Sequence, residues 1–322
     1  MVSIRHGDNS DIVMPWSLGV KIHEMVPARH LTGCAEDRQP PIINQKLSCL
    51  DSRPSLRIGA IVLVHIIADY GTGDLAFAEV MQRIKAHLPD AEAVPLPIPP
   101  FCTLAAGFCI AQLGLNAAPP GTLIYHNVAP REDDHAGRSG NAGERLAYAR
   151  LPTGVRVIGV NSGYALSFIK DVAEKLRWAA SPAEGSQFRS RDVFPQAAAA
   201  IALGLPSALG DEIDVRALPA LPSSVIAYVD GYGNLKTTIT YDAKKVRPGK
   251  RIRVRVNDHE HEATVSDGAF AVRHGELAFA PGSSGWPMRH GANTQWMEIF
   301  LRGGNAWCLF KKPAIGSTVS IA

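Results

Sequence analysis

No apolar run in this chain is long enough to cross a bilayer. The longest, residues 58–68, is broken by His65, whereas a spanning helix needs about 20 apolar residues. The N-terminus carries charge from Arg5 onward and has no continuous apolar stretch, so no secretory leader is expected. The five cysteines, Cys34, Cys49, Cys102, Cys109 and Cys308, include no CxxC pair. An odd, scattered set argues for reduced thiols in a cytoplasmic compartment and against a disulfide framework. A formal net charge of +3 is too small an excess of either sign to mark a nucleic-acid footprint. There is no internal repeat, no low-complexity tract and no GxGxxG fingerprint. Membrane and nucleic-acid partners are therefore not expected.

What is present is an ordinary globular composition, 46% hydrophobic and 20% charged over 322 residues, enough for two domains. Residues 1–57 show no sustained period and are broken at Pro40-Pro41 and Pro54, so they read as a poorly ordered N-terminal extension. From residue 58 strands alternate with helices. A near-continuous β-branched run over 60–67 predicts a strand buried on both faces. Helical spacing follows over 75–87, then a stiff proline-rich segment through Pro95, Pro97, Pro99 and Pro100, then an apolar helix over 103–113. Further strands are predicted over 122–128 and 155–160, and helices over 165–178 and 193–203, the last closed by Gly204. Residues 130–144, rich in charge and glycine, read as a surface loop.

This pattern predicts an α/β N-terminal domain over 58–212, a mostly parallel sheet flanked by helices. Residues 213–224, with Pro219 and Pro222, read as a linker. Beyond it the text turns to short strands, over 225–229, 235–239, 251–256, 262–265, 276–280, 297–301 and 318–321, predicting a C-terminal β-barrel over 225–322.

Several polar groups fall where ligands bind. Asp69 lies just past the end of the first strand, the edge of an α/β sheet at which ligands sit. A carboxylate there can accept both hydroxyls of a ribose; equally, Asp69 and Thr72 could only turn the chain and cap the next helix. In Phe188-Arg189-Ser190-Arg191-Asp192-Val193-Phe194-Pro195, Asp192 reads as a helix cap, while the Ser190 hydroxyl could hold an anion or a water. Asp230 and Asn234 flank Gly231-Tyr232-Gly233, either as a tight turn or as two side chains facing an amino-acid ligand. His259 and His261 share a strand face without a third ligand at metal spacing, so no metal is expected. His126 reads as a buried strand histidine or a weak acid–base candidate.

Taken in order, these segments resemble the S-adenosylmethionine hydroxide adenosyltransferase and chlorinase/fluorinase family, from about residue 61 to the C-terminus. Ala68-Asp69-Tyr70-Gly71-Thr72 is similar to the family's TDFGT, and Ile98-Pro99-Pro100-Phe101 to its IPPxD. Pro119-Pro120-Gly121-Thr122 is similar to FPPGTV, and Phe188 to Phe194 resembles FHGRDIF. Val229 to Asn234 resembles IDxFGN, while Pro281-Gly282-Ser283-Ser284 and the stretch from Glu298 to Ala306 resemble the C-terminal adenine-binding text.

The resemblance implies a S-adenosylmethionine-binding protein that displaces methionine from the 5′ carbon with water or a halide, with no further cofactor. It implies a homotrimer whose site lies between subunits. In it Asp69 would hold the ribose, Phe101 and Phe188 would line the nucleoside pocket, and Ser190 would stand near the nucleophile as the catalytic candidate. Asp230 and Asn234 would hold methionine, and Ser283, Arg302 and Ala306 would lie near adenine. The departures are specific. The hydrolases' loop Asp is Ala129, the His of FHGRD is Arg189, and the remaining Arg of that set has Arg138 as its candidate. The family's DNG is Asn161-Ser162-Gly163 and its THD is Pro95-Leu96-Pro97, and the halogenases' loop Tyr and Thr have no counterpart within 130–143. A catalytically silent scaffold that binds an adenosyl ligand, or a purely structural oligomer, is the alternative expectation. A more anionic adenosyl ligand, met by Arg131 and Arg189, is another.

Overall fold

The computed structural model describes residues 63–132, 135–244, 247–288 and 293–322. The expected extension over 1–57 lies outside the described residues, as do Cys34 and Cys49.

The first sheet begins with β1 (Leu63–Ala68), α1 (Leu75–His87), β2 (Glu92–Pro97), α2 (Thr103–Gly114) and β3 (Thr122–Asn127). Alternation on the strands sorts the two faces. Val64 and Ile66 of β1 and Leu123 and Tyr125 of β3 pack toward α1, while Ile67 and Ile124 pack toward α2. Asp74 caps α1, its carboxylate accepting the Ala76 N–H at 2.7 Å. Phe77, Val80 and Ile84 form the buried stripe of that helix. The prolines of β2 are tolerated because β2 is an edge strand.

The chain continues through β4 (Leu146–Arg150), β5 (Arg156–Val160), β6 (Lys175–Ala179), the short α3 (Arg189–Asp192), α4 (Phe194–Ala202) and β7 (Leu209–Glu212). Strand order is β2-β1-β3-β5-β4-β6-β7. The pairs β1–β2, β1–β3 and β3–β5 are parallel, and β4–β5, β4–β6 and β6–β7 are antiparallel. The sheet is therefore mixed, its parallel half carrying the strand–helix alternation and its other half built by antiparallel return. No local pattern announced β4.

The apolar spacing over 165–178 predicts a helix, and the chain does not form one. Residues 162–172 run as successive tight turns, with Ala165, Ser167, Ile169 and Val172 each bonding the carbonyl three residues back. Lys175–Ala179 is then strand β6, in ladder with β4. Leu166, Phe168, Ile169, Val172 and Leu176 are buried, so the periodicity marked burial, while the ladder to a distant strand decided the backbone.

The second sheet holds β8 (Ile226–Val229), β9 (Leu235–Thr240), β10 (Arg251–Val256), β11 (His259–Val265), β12 (Leu277–Pro287), β13 (Asn293–Leu301) and β14 (Val319–Ile321), with α5 (Ala306–Leu309) before the last strand. Its order is β14-β10-β11-β12-β13-β9-β8. The two edges meet through a bridge between Val225 and Thr318, reinforced by Ile226 N–H to Ser317 O and Val319 N–H to Ser224 O. The sheet thus nearly closes on itself.

Helix α2 belongs to both sheets. The Phe108 ring stacks on Tyr228 at 5.8 Å and meets Trp286 edge-on at 5.6 Å. Asn116 donates to the Gly285 carbonyl and Gln112 accepts the Gly285 N–H. The segment expected as a linker contributes buried Ile213 and Leu218 to the same core. Among the described residues no helix is long and apolar enough to cross a membrane.

Candidate functional site

The C-terminal ends of β1 and β3, the N-terminal end of α3 and the loop before β4 enclose a cavity of about 720 Å³. Asp69, Phe101, Phe188 and Ser190 all line it. Asp69 does not cap a helix, since Asp74 fills that role. Its Oδ2 accepts the Phe101 N–H at 2.8 Å, tying the end of β1 to the turn after β2. Phe101 sits in the left-handed region at φ +57° and is 61% exposed, presenting its ring to the cavity. An exposed aromatic held in unfavourable backbone is a feature a folded core does not require.

Ser190 is fixed from two sides. Tyr70 donates its hydroxyl hydrogen to Ser190 Oγ at 2.7 Å, and Tyr125 donates to the Ser190 carbonyl at 2.5 Å. Burial pushes the Tyr70 pKa upward, so it stays a donor, and Ser190 Oγ keeps its own hydrogen to give. Tyr70 also meets Phe77 and Phe188 edge-on, at 5.1 and 5.7 Å, forming an apolar wall.

Beside Ser190, Arg189 is 9% exposed. It donates to the Glu144 carbonyl at 3.2 Å and the Pro182 carbonyl at 2.7 Å, lies 4.8 Å above the Phe194 ring, and leaves its Nε without a partner. Burial lowers its pKa, which Glu144 partly offsets, but a guanidinium remains charged. Arg131, Arg138 and Ala129 complete that end, and Glu144 Oε1 accepts the Arg131 N–H at 2.8 Å. The positions where the resemblance implies Asp and His, Ala129 and Arg189, therefore lie in the cavity itself.

Asp192 is not a helix cap. Its carboxylate takes Arg191 Nε and a terminal nitrogen at 2.7 and 2.9 Å and the Ser186 hydroxyl at 2.6 Å, which hold it down at about pKa 2. Arg191 also reaches Glu79 at 3.0 Å, joining α3 to α1. These residues brace the site from behind.

The other predicted residues do not line this cavity within one chain. Asp230 spends Oδ1 on the N–H groups of Tyr232 and Asn234 and Oδ2 on the Asn234 amide, each at 3.0 Å. Gly233 at φ +79° lies so close to Asn305 that a β-carbon would stand 2.2 Å from its amide. The 230–234 turn thus seats against the start of α5, where Ala306 is fully buried. Ser283 is exposed on β12, within a register shift, and the Arg302 guanidinium donates to the Phe270 and Val272 carbonyls. Local motifs did not reveal that Lys236 and Glu298 form a buried ion pair at 2.9 Å beneath that turn, with Ser284 donating to the same carboxylate.

His126 is fully buried on the α2 side of the sheet, packed on Gly159, and burial lowers its pKa to about 4. It does not line the cavity. His261 packs edge-on to Phe310 at 4.9 Å, and His259 is exposed. Among the described residues, no group of three or more His, Cys, Asp or Glu is placed to hold a metal.

Comparison with known family profiles and with curated proteins finds no match for this chain. Solved structures do resemble it. An uncharacterized conserved protein from Thermotoga maritima aligns with a TM-score of 0.64 at 22% identity, over 80% of this chain and 100% of its own. A conserved hypothetical protein from Thermus thermophilus aligns with a TM-score of 0.58 at 22% identity, over 81% of this chain and 100% of its own. At that identity the likeness is one of fold.

Proposed function

We propose that the cavity beside Ser190 binds the adenosyl group of S-adenosylmethionine, and that the chain is a divergent member of the S-adenosylmethionine hydroxide adenosyltransferase and chlorinase/fluorinase family. One observation carries this reading. Asp69, Phe101, Phe188 and Ser190, distant in sequence and matched to the family independently, meet in a single cavity. Asp69 would take the ribose hydroxyls, the two phenylalanines the nucleoside faces, and Ser190 the incoming nucleophile. Asp230, Asn234, Ser283, Arg302 and Ala306 would then act from a neighbouring copy in a homotrimer.

The chemistry asks little of the protein. The nucleophile's electron pair enters at the 5′ carbon as the carbon–sulfur bond breaks, and methionine leaves as a neutral thioether. In-line positioning supplies most of the acceleration in such a step. With Ala129 and Arg189 in the cavity, the base expected for a water nucleophile is missing, which costs about 10²–10⁴ in rate. A silent, ligand-binding scaffold is the second reading, favoured by the Asp230–Asn234 turn, whose polar groups satisfy one another.

Calorimetry of the full chain with S-adenosylmethionine, beside an Asp69→Ala control, tests the site. Chromatography of the same mixtures tests turnover. Binding lost in the control, with methionine released by the native chain, supports the first reading. Binding without release supports the second, and equal affinity in both proteins removes the site assignment.

A further inference from the structure

Arg131 and Arg189 line the nucleophile end of the cavity, together with the carboxylates of Asp69 and Glu144. Those two are already engaged, Asp69 by the Phe101 N–H and Glu144 by the Arg131 N–H. Arg189 stands apart because it is buried and has no carboxylate within ion-pair distance among the described residues. Only two of its five N–H groups meet carbonyls, and its Nε meets nothing. Gly143 is the reason it fits, since a β-carbon there would lie 2.9 Å from a terminal nitrogen. Burying a guanidinium with no carboxylate in ion-pair contact is costly, and Glu144 offsets that cost only in part. An oxyanion in the cavity would remove that cost, and a guanidinium fork matches carboxylate and phosphate geometry.

Among the described residues, the carboxylates that line this end, Asp69 and Glu144, each already accept a backbone N–H. Tyr70 is a donor, Ala129 has no polar side-chain atom, and His126 lies buried against Gly159, outside the cavity. Ser190 faces the same space with a hydroxyl hydrogen still to give. A nucleophile that arrives already ionised needs no base.

We infer that the Arg189–Ser190 end of the cavity is a subsite for an oxyanion, a carboxylate or a phosphate, which serves as the nucleophile. This rests on the displacement reading above and names its co-substrate class. An oxygen of the anion gives its electron pair to the 5′ carbon, the carbon–sulfur bond breaks, and its pair stays on sulfur as methionine departs. No proton moves. Phosphate would yield adenosine 5′-phosphate, and acetate the 5′-acetyl ester of adenosine.

The test incubates the full chain with S-adenosylmethionine in a halide-free zwitterionic buffer, alone or with inorganic phosphate, acetate or chloride, and separates the products by liquid chromatography and mass spectrometry. The expected result is an oxyanion adduct that saturates with anion concentration and is absent in Asp69→Ala. The phosphate and acetate arms tell which oxyanion class is preferred. Arg189→Lys keeps the charge but loses the fork, and should lower the adduct rate by about tenfold to a hundredfold. Because Arg189 is buried, Arg131→Ala on the exposed loop is the companion variant, with the Michaelis constant for the anion rising severalfold. Adenosine formed at a rate indifferent to oxyanion, or a chlorinated product preferred over both adducts, overturns this inference and leaves the displacement reading standing. S-adenosylmethionine bound but never consumed overturns the inference in favour of the silent scaffold. No binding at all removes both.

Discussion

Tyr70 holds Ser190 by a 2.7 Å hydrogen bond that spans 120 positions of sequence and joins the end of β1 to the start of α3. The bond orients a hydroxyl that faces the cavity, so its loss should be felt in turnover before it is felt in affinity. Tyr70→Phe should lower stability by about 1 kcal/mol, the ordinary worth of one hydrogen bond. If the proposed displacement operates, the turnover number should fall while the dissociation constant for S-adenosylmethionine changes little. Urea melts and single-turnover kinetics on one preparation check both, and a loss of affinity alone would contradict the orienting role.

Phe101 should show opposite effects on stability and binding. Glycine at φ +57° relieves about 1 kcal/mol of backbone strain, so Phe101→Gly should leave stability unchanged or raise it. The same change removes a ring lining the cavity and should weaken nucleoside binding by about tenfold or more. Thermal melts with calorimetry decide it. A destabilised protein with unaltered affinity would make Phe101 a packing residue.

Stability should fall as pH drops through the range of His126. Its folded pKa, lowered by burial to about 4, lies below the unfolded value of 6.5, so between those values the unfolded chain binds more protons. The contribution is full above pH 6.5 and lost progressively toward pH 4, amounting to about 3 kcal/mol at most. Urea midpoints from about pH 7 to about pH 4 should show this slope, and His126→Gln should flatten it. An unchanged slope in the variant would assign the pH dependence to other groups.

The Lys236–Glu298 pair should be costly to break and cheap to remove. Lys236→Met leaves a fully buried carboxylate with only Ser284 to serve it, at a cost of about 3–5 kcal/mol. Lys236→Met combined with Glu298→Gln should recover much of that loss, since no buried charge then remains. A double-mutant cycle in guanidinium measures the coupling, and additive losses would show the pair to be independent.

The parts of the fold that were legible are those that local physics decides. Gly204 follows α4 because a breaker acts within a few residues, and the strands after residue 225 show their alternation directly, whereas the cap of α1 is Asp74 and not the Asp69 or Thr72 that the sequence offered. Strand β4 and the turns over 162–172 were not legible. Their backbone is set by partners far away in sequence, and the apolar period of 165–176 serves a packed turn as well as a helix. The site divided the same way. Asp69, Phe101, Phe188 and Ser190 could be named from motifs, but not the Tyr70 and Tyr125 bonds that hold Ser190, nor the return of residues 141–144 to wall the cavity. Asp192 misled because a carboxylate near a helix start suits a cap and an ion pair equally well.

Helix α2 lies against both sheets, with Phe108 between Tyr228 and Trp286. Neither half of the chain can be inherited, swapped or expressed as an independent module without baring a raw aromatic face. A lineage carrying this sequence must change its two sheets in step, so a relative altered at Trp286 is expected to be altered at Phe108 too.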